Sequence, residues 1–234
     1  MAEPLTVLYE DNHCLAVAKP ASLSTQGPPH SPEPTLESLA RDYLRVRYHK
    51  PGNVYLGIPH RLDRPVSGVV LFARNTKAAR RIALQFAERQ VRKVYWALVE
   101  GEVQPESGTW EDYLRKAPDQ ARVDVVEPGD PGAKLARLRY RRLGAASGET
   151  LLELDLETGR THQIRVQAAK RGWPVRGDVL YGARQLFGPS GREPGSVIAL
   201  HARRLTFLHP IRYEPLTVEA PLPSTWIGIS GSTG

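Results

Sequence analysis

His60-Arg61-Leu62-Asp63-Arg64-Pro65-Val66-Ser67-Gly68-Val69-Val70-Leu71-Phe72-Ala73 is the stretch on which the reading of this 234-residue chain turns. Its second half, Gly68–Ala73, is a continuous apolar run, which predicts a buried strand. Its first half sets Arg61 and Arg64 around Asp63, immediately before Pro65. A carboxylate at the edge of a strand is carried on rigid backbone, and neighbouring cations keep it ionised. After the strand, Asn75 or Thr76 predicts the cap of a helix running to about Gln90. Its inward residues are Ala79, Ile82, Ala83 and Phe86, and its other face carries Arg80, Arg81 and Arg89.

Upstream, Thr6–Tyr9 and Cys14–Ala18 predict two short strands joined by the turn Glu10-Asp11-Asn12-His13. Pro20 to Pro34, rich in Pro, Ser and Gly, reads as a long surface loop. Thr35–Arg47 has Leu36, Leu39, Ala40, Tyr43 and Leu44 at the spacing of one helix face. Downstream, Val94–Val99 predicts a strand with Tyr95 facing away from Trp96, and further strands fall at Arg122–Val126, Leu135–Arg142 and Thr150–Leu156. Gly and Pro clusters place turns at 101–108, 127–133, 144–148 and 187–195. Thr161 to Arg171 fits a strand through Ile164 and Val166. It fits better a helix capped by Thr161, using Ile164 and Ala168 and stopping at Gly172. Irregularly interleaved helices and hairpin-like strands predict an α+β fold with a mainly antiparallel sheet. No linker divides the chain, so a single domain is expected over 1–226, followed by a loose Gly/Ser-rich tail over 227–234.

The composition narrows the function. At 24% charged and 41% hydrophobic, the chain is in the globular range, which excludes wholesale disorder and collagen-like structure. No apolar stretch approaches the roughly 18–20 residues needed to cross a bilayer, and the start has no signal pattern, so a cytoplasmic protein with no membrane partner is expected. Cys14 is the single cysteine and no Cys/His cluster offers four zinc ligands. The net charge is +7, and it is concentrated. Residues 60–100 hold nine basic and three acidic side chains, and residues 160–184 hold six basic and one acidic. Such patterning nominates a polyanion as partner, although solvated helix faces can carry the same charge.

Phosphate-cradling loops, dinucleotide glycine fingerprints, paired-His zinc helices and serine-hydrolase elbows are missing from the sequence. An enzyme built on this chain would work from acid, base or nucleophilic side chains, with no metal and no cofactor. Asp63 is the first candidate, and His60 can act as a base or as a structural residue. Tyr95 offers a flat surface for a base or simply packs in the sheet. Arg165, in Gly159-Arg160-Thr161-His162-Gln163-Ile164-Arg165, can pair with a carboxylate or clamp a phosphate.

Taken together, these segments resemble RluA-type pseudouridine synthases. The run His60–Ala73 resembles the signature of that family, and four further blocks match it in order. They are Val7–Asn12 with Ala18-Lys19-Pro20, Lys93–Gly101, Thr158–Val166, and Gly177–Gly182 with Leu200-His201-Ala202. The resemblance covers about residues 5–210 and implies isomerisation of uridine in structured RNA, ribosomal or transfer, to pseudouridine without a cofactor. It implies an α+β pseudouridine synthase fold, with a mixed, mainly antiparallel central sheet in two lobes and a basic cleft. It assigns Asp63 as the essential carboxylate, Tyr95 as the ring that stacks on uracil, and Arg165 as the arginine that pairs with the carboxylate. Leu200 falls in the apolar wall. His60, Arg61, Arg64, Arg92, Arg160 and His162 fall where substrate would be bound. The partner implied is RNA, and the chain is expected to be a monomer without the small N-terminal RNA-binding domain of longer members.

The chain departs from the family pattern at Val66, where many members have Thr, and at Gln167 and Ala168, where His and Leu are usual. Arg74 replaces a common Lys. Two other classes compete with this reading. One is an RNA-binding or ribosome-assembly protein that keeps the fold without turnover, against which stand Asp63, Tyr95 and Arg165. The other is a hydrolase using Asp63 and His60, for which no second catalytic carboxylate or metal set is present.

Overall fold

The first hairpin is set by Asp11, whose Oδ1 accepts the backbone N–H groups of His13 (2.8 Å) and Cys14 (2.7 Å). This bends the chain between β1 (Thr6–Glu10) and β2 (Cys14–Lys19) in the computed structural model, which describes residues 5–28, 33–118, 120–189, 193 and 195–227. The order continues with α1 (Leu36–Arg47), β3 (Ser67–Ala73), α2 (Thr76–Ala87), β4 (Arg92–Glu100) and β5 (Ser107–Lys116). Then come β6 (Val123–Val126), β7 (Lys134–Ala146), β8 (Glu149–Leu156), α3 (Gln163–Lys170), β9 (Leu200–Leu208) and β10 (Pro215–Glu219). Single 3-10 turns lie at Val179–Tyr181 and Ser224–Trp226. No helix among the described residues is long and apolar enough to cross a membrane.

The chain divides into two compact units. The first is built from the chain up to Arg92 together with Ala202–Pro221. Its strands run in the order β1-β2-β3-β9-β10, with β1–β2, β2–β3 and β9–β10 antiparallel. All seven residues of β3 are buried, which is why its sequence is apolar without alternation. One face of it joins Cys14, Ala16, Ala78, Ile82, Leu205, Phe207 and Val218 in a core. The Ile, Leu, Phe and Val side chains among them each contribute about 1.5–3 kcal/mol when fully buried. Gly68, at φ +123°, lies so close to β9 that an added Cβ would sit 2.3 Å from the Ala202 carbonyl oxygen.

Both helices of this unit start on side-chain caps. Thr35 Oγ1 accepts the Ser38 N–H (3.1 Å), and Asn75 Oδ1 accepts that of Ala78 (2.9 Å). α2 ends at Ala87, short of Gln90, because Glu88 closes the last turn and Arg89 swings to φ +59°. Ala83 is exposed rather than inward. Gln85 is buried in its place because its amide exchanges two hydrogen bonds with the Leu208 backbone (2.8 and 2.9 Å).

The second unit comprises Lys93–His201 and the chain from Leu222. Its strands run β4-β8-β7-β5-β6, every neighbouring pair antiparallel. α3 packs against β5 and β6 around Leu114, Val123, Ala136, Val166 and Tyr181. Six of its eight residues are buried, Gln163, Arg165 and Gln167 among them, so its polar side chains face partners inside the protein. Its N-cap position is His162, in the left-handed region at φ +52°, and not Thr161. β5, β9 and β10 were not anticipated from the sequence. Ser107 and Gly108 belong to β5, and Gly144–Ala146 to β7, rather than to the turns assigned to them. All but the first residue of the tail expected over 227–234, and parts of the segments over 20–34 and 187–195, lie outside the described residues.

Candidate active site

Asp63 sits in the irregular segment between Gly57, which is bridged to Ala73, and β3. Its carbonyl accepts the Val66 N–H (3.1 Å), closing the Asp63–Val66 turn. The backbone on either side of it is gripped by buried side chains. Before it, Thr25 Oγ1 donates to the Leu62 carbonyl (2.8 Å) and accepts the Leu62 N–H (3.2 Å). After it, Lys19 Nζ donates to the Arg64 carbonyl (3.1 Å), and also to those of Pro20 (3.0 Å) and Leu23 (2.7 Å). Lys19 is 1% exposed, and three carbonyl acceptors match the three N–H donors of an ammonium. Burial pulls its pKa down to about 7, while the Asp63 carboxylate pushes the other way. The turn is therefore held at two neighbouring residues, and its carboxylate is half-buried beside a deeply buried amine.

The other candidates of this unit differ in their surroundings. His60 Nε2 accepts the Leu71 N–H (2.9 Å) and its ring stacks on Phe86 at 4.7 Å between centroids. Accepting that N–H keeps Nε2 unprotonated, so this face of the ring serves the fold rather than a substrate. Arg64 is exposed, with its Nε donating to the Ser22 carbonyl (3.1 Å). Arg61 and Arg92 are exposed as well.

Among the described residues, one grouping has the composition of a metal site: Asp11, Cys14 and His209, whose ligand atoms lie within 4.8 Å of one another. Their hydrogen bonds fit a closed structural network instead. His209 Nδ1 accepts the N–H groups of Ile211 (3.2 Å) and Arg212 (3.0 Å), which leaves the ring proton on Nε2, 2.7 Å from Asp11 Oδ2. Burial pushes the Cys14 thiol up to about 12, so within this network it keeps its proton. Burial also raises the Asp11 carboxyl, but the His13 and Cys14 N–H groups, with His209 and Tyr9, outweigh it and hold it down at about 2.

In the second unit, Tyr95 is half-buried on β4 in register with Leu154 of β8, and Leu200 is buried at the start of β9. Arg165, 5% exposed on α3, is gripped by Asp178, a residue not singled out for any role in the sequence. Nε donates to Oδ2 (2.6 Å) and Nη2 to Oδ1 (2.8 Å), the two-pronged geometry that fixes a guanidinium plane. The same guanidinium lies over the Tyr181 ring, 5.1 Å from its centroid. Tyr181 Oη accepts the Val123 N–H (2.9 Å) and lies 2.8 Å from His162 Nδ1, so His162 and Arg165 meet around one phenol. Burial raises the pKa of that hydroxyl, keeping its proton. Arg160 donates from Nε to the Leu135 carbonyl (2.9 Å), while Gln163 closes the preceding turn by accepting from Thr158 Oγ1 (2.7 Å) and the Arg160 N–H (3.0 Å). Gln167 replaces a usual His of the family, and its amide donates to the buried Asp112 (2.7 Å).

Lys19, Thr25 and Asp178 were thus missed as supporting residues, although Lys19 and Asp178 lie within the sequence blocks already quoted.

Comparison with known proteins adds an independent line. Residues 13–170 match the family described as RNA pseudouridylate synthase. The chain is 38% identical over 231 residues to the ribosomal large subunit pseudouridine synthase D of Xanthomonas campestris, covering 94% of this chain and 66% of that protein. It is 31% identical over 219 residues to synthase C of Vibrio vulnificus, covering 92% and 65%. Human RNA Pseudouridylate Synthase Domain Containing 1 has a similar structure, with TM-score 0.70 and 28% identity over 94% of this chain and 84% of that one. The chain spans about two thirds of the length of the curated relatives it matches. On this match, and as the RluA-type resemblance of its five sequence blocks implies, the chain belongs to the RNA pseudouridylate synthase family.

Proposed function

We propose that this chain isomerises specific uridines in structured RNA to pseudouridine, ribosomal RNA before transfer RNA, with Asp63 as the essential carboxylate. The observation that carries this reading is the double anchoring of the Asp63 turn, by Thr25 on Leu62 and by the buried Lys19 on Arg64. A carboxylate that merely closes a turn needs no buried amine beside it. Holding a reactive group in place before substrate arrives is how a site lowers the cost of orientation. Family membership and the named ribosomal activity of the Xanthomonas relative support the same substrate class.

The reaction breaks the bond between the ribose anomeric carbon and the base nitrogen, turns the uracil, and joins carbon 5 to the ribose. The proton lost from carbon 5 balances the one gained at nitrogen, so nothing is oxidised or reduced. Asp63 either adds to the sugar or base, or takes a sugar proton during elimination; both routes start from the same ionised oxygen. Tyr95 stacks on the uracil and assists proton removal at carbon 5. Arg165, its plane fixed by Asp178, orients the anion it meets. Leu200 excludes water from the separated base and sugar. Arg61, Arg64 and Arg92 of the first unit, and Arg160 and His162 of the second, hold the flipped nucleotide's backbone. Action in the cytoplasm as a monomer completes the reading.

The test is tritium release from RNA labelled at carbon 5 of uridine, with mapping of pseudouridine in cells lacking the protein. Wild type should release tritium and restore a defined site, and Asp63→Asn should do neither. Full restoration by Asp63→Asn would remove Asp63 from the chemistry. Persistent absence of release by wild type on ribosomal and transfer RNA would leave an RNA-binding protein.

A further inference from the structure

The outward face of α2, and the turn that closes on it, play no part in the arrangement around Asp63. Lys77, Arg80 and Arg89 are exposed there, and none forms an ion pair among the described residues. Arg81, on the same helix, reaches the turn that follows β9. Its Nη1 donates to the Pro210 carbonyl (2.7 Å), and its guanidinium lies over the Tyr213 ring, 5.1 Å from the centroid. Tyr213 is 61% exposed and holds φ +59°, and Leu84, one turn along from Arg80 and Arg81, is 55% exposed.

A bulky residue in the left-handed region is an outlier, since glycine or asparagine would make the turn at less cost. Here the strained conformation is enforced from below. The Tyr213 N–H donates to the His209 carbonyl (2.9 Å), and His209 Nδ1 takes the N–H groups of Ile211 and Arg212. His209 itself is fully buried and bound to Asp11 at 2.7 Å. The buried His209, bound to Asp11, thus holds a large aromatic ring out in solvent against Arg81, on the helix that also carries Lys77 and Arg80, neither with an ion-pair partner among the described residues.

We propose that Tyr213 on Arg81, flanked by Lys77 and Arg80, is a platform on which an unpaired base of the RNA substrate stacks while the two cations hold its phosphates. This rests on the uridine-isomerase reading and extends it to a second contact on the same RNA. The pairing of an exposed ring with unneutralised cations suits a single-stranded nucleic acid, because every base has a face to stack and every nucleotide a charge. An acidic peptide would use the cations and leave the ring unemployed.

The experiment uses the full chain and a fluorescein-labelled 12-nucleotide oligouridine, with binding read by anisotropy across a salt series. Tyr213→Gly removes the ring and relieves the strained φ. Its melting temperature should stay level or rise while Kd increases roughly tenfold. Tyr213→Phe should bind like wild type. Lys77→Ala with Arg80→Ala should flatten the salt dependence by about 1.4 in the slope of log K against log salt. Kd within twofold of wild type for Tyr213→Gly would overturn the platform. So would an equal loss for Tyr213→Phe, or an abasic ribose-phosphate strand that loses as much affinity with Tyr213→Gly as oligouridine does. The two readings fail separately. Tyr213-dependent binding without tritium release by wild type would sink the isomerase alone. Release by wild type with binding indifferent to Tyr213 would sink the platform alone.

Discussion

Replacing Lys19 by Met removes one ammonium and leaves a side chain of similar length in its buried position. Three backbone carbonyls, of Pro20, Leu23 and Arg64, lose their donor, and the apolar side chain that fills the 1% exposed position of Lys19 offers none in its place. An unsatisfied buried acceptor costs about 1–3 kcal/mol. Opposing this, wild type bears the cost of burying a charge, which lowers the Lys19 pKa from 10.5 to about 7. The unfolded chain keeps a proton on Lys19 up to about pH 10.5 that the folded protein has released above about pH 7. Wild-type stability from this residue is therefore full above pH 10.5, and is lost as pH falls towards 7. At about 1.4 kcal/mol per pH unit, stability gains roughly 3 kcal/mol between pH 6 and pH 9, a gain Lys19→Met cannot show. Urea unfolding of both proteins at the two pH values isolates this term, since every other titrating group is shared. Lys19→Met should be the weaker protein at pH 9, and its deficit should shrink markedly at pH 6. Stability curves that run parallel within about 0.5 kcal/mol would refute the reasoning.

Other perturbations give sharper, smaller tests. Gly68→Ala places a Cβ 2.3 Å from the Ala202 carbonyl oxygen at φ +123°, and should cost about 3 kcal/mol or more, read as a lowered urea midpoint or loss of folded protein. Asp178→Ala leaves the Arg165 guanidinium buried with its main carboxylate gone, and should cost about 3–5 kcal/mol together with most tritium release. Asp178→Asn, which keeps an acceptor oxygen, should fall between it and wild type in both readouts. Asp11, held at about 2 against an ordinary 3.8, contributes stability above pH 3.8 that is lost as pH falls through 2. Acid titration of Asp11→Ala should lack about 2 kcal/mol of that loss.

How far the sequence announces this molecule depends on where each residue's partner lies. α1 and α2 were legible because Thr35 and Asn75 cap amides only three residues ahead. β3 was legible because it is apolar throughout. β5 was hidden by Glu111 and Asp112. Asp112 is buried despite its charge, because Gln167 on α3 and Arg171 just past its end reach it from 55 and 59 residues away. β9 was obscured by Arg203 and Arg204, which pair with Glu219 on β10. The site follows the same rule. Asp63 and its flanking arginines are local and stood out. Lys19 and Thr25 act from 45 and 37 residues away from the backbone atoms they hold, and no local pattern points to them. Tyr95 stood out only as a strand ring that fits base stacking or sheet packing equally, and family resemblance chose between them.

The unit that carries Asp63 is assembled from both sides of its companion in the chain, and this has a consequence for synthesis. Leu205, Phe207 and Val218 complete the core begun by Cys14, Leu71 and Ile82, yet Ala202 emerges from the ribosome 110 positions after Arg92. At about 5–20 residues per second that is roughly 5–20 s during which β3 has no β9 beside it. A nascent chain in that interval carries a bare apolar strand edge, the kind of surface that chaperones shelter, while the intervening unit has its residues through His201 and waits only for the segment from Leu222, with the buried Trp226.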